Sequence, residues 1–232
     1  MKKYIFNILI ALLTTLPVLA QKQAQAKLVL DKTAAAFEKA GGVKADFSVQ
    51  AFNKGHSVGT ATGTIELKGE KFFLKTAETV SWFDGKTQWS YLTQNDEVNI
   101  STPTEAELQG LNPYALLYLY KKGFDYELGK VADFHGKQVY EVILTATDKK
   151  QDLSRIVLYV VKSTYQPVYI KVEQRDGSRS EITITRYQTG LKLSDSVFVF
   201  NKQQYPTAEI IDLRYCHNNF SCNIFSNCKG DR

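Results

Sequence analysis

Between Gln21 and Arg214 the chain has no cysteine; the three it contains, Cys216, Cys222 and Cys228, all fall in the last stretch. Stability of the body therefore rests on packing rather than on disulfides. The six-residue spacing suits neither a closed set of pairs nor a zinc site built on close cysteine pairs, even with His217 beside Cys216. Histidine is scarce too, with three residues in 232. His56 and His135 stand in glycine turns, where neither has the positioned partner that a catalytic base needs. The chain lacks a G-x-S-x-G elbow, an H-E-x-x-H pair and a phosphate-binding glycine loop. Asp84 and Asp176 each precede a glycine and read as turn formers. These absences predict no catalytic residues, no metal and no cofactor. A hydrolase of the cell envelope built on paired carboxylates leaves no local signature and stays open as an alternative.

Charge excludes another class. The formal net charge is +5, and Lys2 and Lys3 supply two of those positive charges. The remainder is scattered, with no basic run of the kind that tracks a nucleic acid. No nucleic-acid partner is expected.

The first residues read as an export signal. Lys2 and Lys3 precede an apolar run from Tyr4 to Leu16, and Val18-Leu19-Ala20 offers the small residues that a signal peptidase reads. Cleavage is expected after Ala20. The apolar run is shorter than the roughly 20 residues that span a bilayer. No cysteine follows the cleavage site, so no lipid anchor is expected there. The expected mature protein is soluble and lies outside the cytoplasm.

From Gln21 to Ala40 the period is helical, with Ala26, Leu30, Ala34 and Phe37 on one stripe and Gly41-Gly42 as the stop. The period then changes to two. Ala45, Phe47, Val49 and Ala51 alternate with polar residues, as do Ala61, Gly63, Ile65 and Leu67. Further strands are predicted over 71–76, 79–83, 87–93, 97–101, 124–131, 138–147, 154–161, 167–174, 180–187 and 197–200, before an irregular 205–213. Asn112 and Pro113 open a second helix with Leu116, Leu117 and Tyr120 on its apolar face. About ten or eleven strands and two helices follow, in one domain over 21–214. A sheet this wide curls, and helices with apolar stripes must bury them. The predicted fold is mainly β with helices: a curved antiparallel sheet, an incomplete β-barrel, with helices covering its concave face.

Excess apolar surface is the positive signal. Phe72-Phe73-Leu74, Val80-Ser81-Trp82-Phe83, Trp89-Ser90-Tyr91-Leu92 and the run 156–161 place large side chains on both faces of their strands. Either the surplus fills a two-sided core or part of it lines a cavity. Alternation puts Phe47, Ile65, Trp89 and Tyr91 on the expected concave side, facing Leu116, Leu117 and Tyr120. Lys86 and Gln88 then fall on the opposite face.

Several strings resemble the LolA family, periplasmic carriers that ferry lipoproteins to the outer membrane. They are Val43-Lys44-Ala45-Asp46-Phe47, Gly63-Thr64-Ile65 within 59–67, Asp84-Gly85-Lys86-Thr87-Gln88-Trp89-Ser90-Tyr91, and Asn112-Pro113 with its leucine-rich helix. The stretch Tyr205-Pro206-Thr207-Ala208-Glu209-Ile210-Ile211-Asp212-Leu213-Arg214 is similar to members from Bacteroides-type bacteria. The resemblance implies a hydrophobic cavity for acyl chains, lipoproteins as cargo, loading by an inner-membrane ABC transporter, an outer-membrane acceptor, and a monomer. It also implies an alternative, a lipid-binding or envelope-sensing module of the same fold. Members of the proteobacterial type carry an Arg after a Lys at the end of the second strand, as a latch for the lid. Here Leu67-Lys68-Gly69-Glu70 puts Gly69 at that position, so the latch is absent or moved to Lys68 or Lys71. The acceptor family of the same fold consists of lipoproteins, which the missing cysteine disfavours. Residues 215–232 lie outside the resemblance and are expected to form an unstructured tail.

Overall fold

The computed structural model describes residues 16–104, 107–108, 118–121 and 123–214. Helix α1, Leu16–Lys39, runs unbroken through the expected cleavage point. It buries Ala26, Val29, Leu30, Thr33, Ala34 and Phe37, the stripe that the helical period predicts. Burying side chains the size of Leu30 and Phe37 contributes about 1.5–3 kcal/mol each. Gly41, at φ +70°, ends the helix.

Thirteen strands follow: β1 Val43–Asn53, β2 His56–Lys68, β3 Lys71–Thr76, β4 Thr79–Phe83, β5 Gln88–Leu92, β6 Glu97–Ser101, β7 Phe124–Leu128, β8 Asp133–Phe134, β9 Lys137–Ala146, β10 Leu153–Val161, β11 Pro167–Gln174, β12 Ser178–Gln188 and β13 Glu209–Asp212. They form one sheet in the order β13-β6-β5-β4-β3-β2-β1-β12-β11-β10-β9-β7, with β8 paired to β9 outside that path. All pairings are antiparallel except β13 with β6. The two end strands do not pair with each other, so the sheet is open, as the incomplete barrel requires.

Two expectations fail near the C-terminus. Residues 197–200 are not a strand; a 3₁₀ turn, Asp195–Phe198, occupies that region with the Ser194 side chain as its cap. Residues 205–213 are not wholly irregular, because β13 adds to the sheet there. Parallel pairing at a sheet edge depends on a partner more than a hundred residues away in the chain, which local alternation does not reveal. The predicted helix from Asn112, with Leu116 and Leu117, lies outside the described residues; Leu119–Lys121 is a 3₁₀ turn. Among the described residues no helix is long and apolar enough to cross a membrane.

A strap over 190–208 joins the helix to the far edge. It leaves β12 with Gly190 N donating to Ala40 O and Leu191 N to Gly42 O. It then crosses one face of β3, β4 and β5, burying Phe198 completely.

Candidate functional site: an apolar sheet face beneath the helix

Strand pairing decides which side chains share a face, because directly opposed residues point the same way. On the face that α1 covers, Phe47 lies between Gly63 and Ile184. Another row runs across seven strands as Leu128, Val142, Leu158, Ile170, Ile182, Val49 and Ala61. The buried cluster on this side joins Leu30 and Phe37 of α1 to Ile65, Phe72, Phe83, Tyr120, Leu144 and Leu158. Phe47, Leu74, Val172, Ile182 and Ile184 pack against that cluster while only half-buried.

Gly63 is there for space. A Cβ at that position would lie 2.6 Å from Phe47 Cζ and 2.6 Å from Lys75 O, so the Phe47 ring covers its backbone. Near one end of the face, a cleft of about 180 Å³ opens between the last turns of α1 and the β10–β11 turn, lined by Thr33, Phe37, Tyr165 and Tyr187 among others. A neighbouring cleft of about 260 Å³ shares Tyr187 and adds Val168 and Ile184. Burial holds the Tyr187 phenol above its ordinary value, at about 12.

The predicted site residues divide. Phe47, Ile65 and Tyr120 meet on the α1 side, through Phe47 beside Gly63 and through the common cluster. Trp89 and Tyr91 do not join them. Ile65 pairs with Leu74, Leu74 with Ser81, and Ser81 with Ser90, so in β5 it is Ser90 and Gln88 that face α1. Trp89 opposes Trp82, and Tyr91 stacks at 4.6 Å on Tyr205 of the strap. Phe73, Trp82, Phe200 and Tyr205 complete that second layer, with ring centroids 5.5–5.8 Å apart. The placement of Trp89 and Tyr91 on the concave side is corrected accordingly. Apolar residues on both faces of β5 left the parity ambiguous, and the strap that covers the outer face is distant in sequence. Ile182, Ile184 and Tyr187 were missed as wall residues; the alternation in β12 was their only signal.

A family model described as the outer membrane lipoprotein carrier protein LolA matches residues 16–178. The chain belongs to the LolA family. Carriers of this family are periplasmic and non-enzymatic. An uncharacterized conserved protein from Thermus thermophilus superposes with a TM-score of 0.55 at 14% identity, covering 81% of this chain and 99% of its own. A LolA superfamily protein from Nitrosomonas europaea gives 0.43 at 11% identity over 75% of this chain and 97% of its own. At such identities the first likeness shows the fold alone. A search of curated proteins finds no significant match.

Within this LolA-family chain, Gly69 is a turn residue. Lys68 and Lys71 pair across the β2–β3 hairpin, and Gly69 takes φ +59°, a left-handed conformation that a side chain such as Arg adopts only with strain. The flanking lysines hold the strap instead. Lys68 Nζ donates to Leu193 O at 3.0 Å and to Asp195 Oδ1 at 2.9 Å, while Lys71 Nζ lies 3.0 Å from Asp195 Oδ2. Hydrogen bonds from Lys68 and then Lys71 keep the Asp195 carboxyl below its usual range.

Segment 118–121 is tied to α1 by different groups. Tyr120 Oη donates to Asp31 Oδ1 at 2.6 Å, and Tyr118 Oη donates to Glu38 Oε1 at 2.7 Å. Asp31 also receives Lys27 Nζ at 2.7 Å. Hydrogen bonds from Lys27 and then Tyr120 lower the Asp31 carboxyl, whereas burial first and Asp31 second push the Tyr120 phenol well above its ordinary value.

Proposed function

We propose that the protein takes up the acyl chains of lipoproteins on the α1 side of its sheet and carries them through the periplasm from the inner to the outer membrane. The observation that carries this reading is the apolar row across seven strands, with the half-buried pair Phe47 and Ile184 beside it, beneath a single described helix. Acyl chains cannot cross an aqueous space unaided, and each methylene buried contributes about 0.8 kcal/mol. Ten methylenes on such a face would therefore stabilise a complex by about 8 kcal/mol before the costs of ordering. Phe47 and Ile65 belong to the wall, Tyr120 closes it against α1, and Leu116 and Leu117 are proposed as further acyl-chain contacts. Tyr91 stabilises the strap, and Trp89 pairs with Trp82 in the same layer. Energy for loading comes from an inner-membrane ABC transporter and release is to an outer-membrane acceptor. The protein acts as a monomer after removal of residues 1–20, with 21–214 as the carrier domain.

The test is a fluorescent fatty-acid probe titrated into wild type, Phe47→Glu, Ile184→Glu and Thr62→Glu, each first shown to be folded by circular dichroism. Thr62 lies on the outer face, opposite Ser48. Weaker binding in the first two variants and wild-type binding in the third support the wall. Equal binding in all four removes it.

A further inference from the structure

The α1-side face is not apolar from edge to edge. Where Ile65 and Leu74 lead into β4 and β5, the same face carries Ser81, Ser90 and Gln88. Gln88 Nε2 donates to Ser90 Oγ at 3.0 Å, and Ser90 Oγ is 3.3 Å from Ser81 Oγ. Ser81 and Gln88 are only 3% and 6% exposed, yet Gln88 Oε1 has no hydrogen-bond partner. Among the described residues the other buried side-chain atom without a hydrogen bond is Arg179 Nε, and that atom lies 2.9 Å from Glu181 Oε1. With the amide assigned so that Nε2 faces Ser90, Gln88 Oε1 is a stripped acceptor whose desolvation the fold does not recover. The serine pair has the complementary surplus. Only one of its hydroxyls can donate to the other, which leaves one hydroxyl proton without an acceptor.

We propose that Gln88, Ser90 and Ser81 form a polar subsite for the secondary amide of an N-acylated ligand. This rests on the reading of the α1-side face as an acyl-chain surface. An amide presents one N–H to Gln88 Oε1 and one carbonyl to the spare serine hydroxyl. An ester presents acceptors alone and leaves Gln88 unpaired. A carboxylate is disfavoured, because the paired rows around the subsite contain Phe83, Ser101, Thr79, Leu92, Asn99 and Glu97 and no Lys or Arg. The subsite therefore selects an acyl chain joined to a peptide over one that ends in a free acid or a simple ester.

Two ligands of equal chain length separate the cases: N-methylhexadecanamide and methyl hexadecanoate, each displacing a fluorescent fatty-acid probe from the full-length exported protein. One added hydrogen bond predicts about five-fold tighter displacement by the amide in wild type. Gln88→Met should weaken the amide to the level of the ester and leave the ester unchanged. Equal affinities in wild type, which need no variant to be folded, overturn the subsite and leave the acyl-chain reading intact. A Gln88→Met loss shared equally by both ligands also overturns it, as the mark of a merely structural residue. A wild type that binds neither the probe nor, by direct titration, the amide or the ester removes the acyl-chain reading and the subsite together.

Discussion

Tyr120→Phe isolates the tie between segment 118–121 and α1. The substitution keeps the buried ring, which packs edge-on against Tyr126 with centroids 5.9 Å apart, and removes only the hydroxyl that donates to Asp31. A hydrogen bond to a charged group is worth about 1.5–3 kcal/mol when buried, but the Asp31 side chain is 43% exposed. Solvent screening brings the figure down to about 1 kcal/mol. That loss shifts the closed-to-open ratio of the segment about five-fold. Amide exchange at Lys121, whose N–H bonds Tyr118 O at 3.0 Å, should therefore quicken about five-fold while exchange in the sheet stays unchanged. The pH dependence follows from the shifts. The Asp31 carboxyl is lowered in the folded state, so its stabilisation is present above about pH 4 and is lost as the pH falls through the folded value. The Tyr120 phenol is raised, so its contribution is present below about pH 10 and fades above it. Exchange at Lys121 that is the same in Tyr120→Phe and wild type near pH 7 would refute the tie.

Thermal melting separates the strap's packing from its ion pairs. Phe198→Ala should cost about 3–5 kcal/mol and lower Tm by about 6–20 °C, whereas Lys68→Met should move it by no more than about 3 °C, because exposed pairs contribute little. A Lys68→Met loss as large as that of Phe198→Ala would overturn this ranking. Gly63→Ala places a Cβ against Phe47 and Lys75 O and should cost about 1–3 kcal/mol, read as a lower urea midpoint; an unchanged midpoint would show that the ring does not depend on the glycine. N-terminal sequencing of protein from the periplasm should begin at Gln21, and an intact Met1 there would refute cleavage.

Most of the sheet was legible in the sequence because its signals are local. β3, β4, β6 and β11 begin and end where alternation and turn residues place them. The Asp84 carboxylate accepts from Lys86 N and Thr87 N, the turn that Asp84-Gly85 announces. What failed depended on distant partners. β13 is a strand because β6 lies beside it, and residues 195–198 turn where Ser194 caps them and Phe198 is buried against β3 and β4. The wall was half legible: Phe47 and Ile65 follow from clean alternation, with one apolar and one polar face per strand. Trp89 and Tyr91 do not, since β5 carries apolar or buried residues on both faces, Trp89 and Tyr91 on one and the buried Gln88 and half-buried Leu92 on the other. Only the strap decides between them.

Carriage of lipoproteins by their acyl chains is the proposed function. Its most direct measurement is capture from periplasm of one lipoprotein in two forms, acylated and with its lipid-bearing cysteine replaced by serine, followed by intact mass spectrometry. A one-to-one complex with the acylated form alone is expected; equal capture of the unacylated form would contradict carriage by the acyl chains.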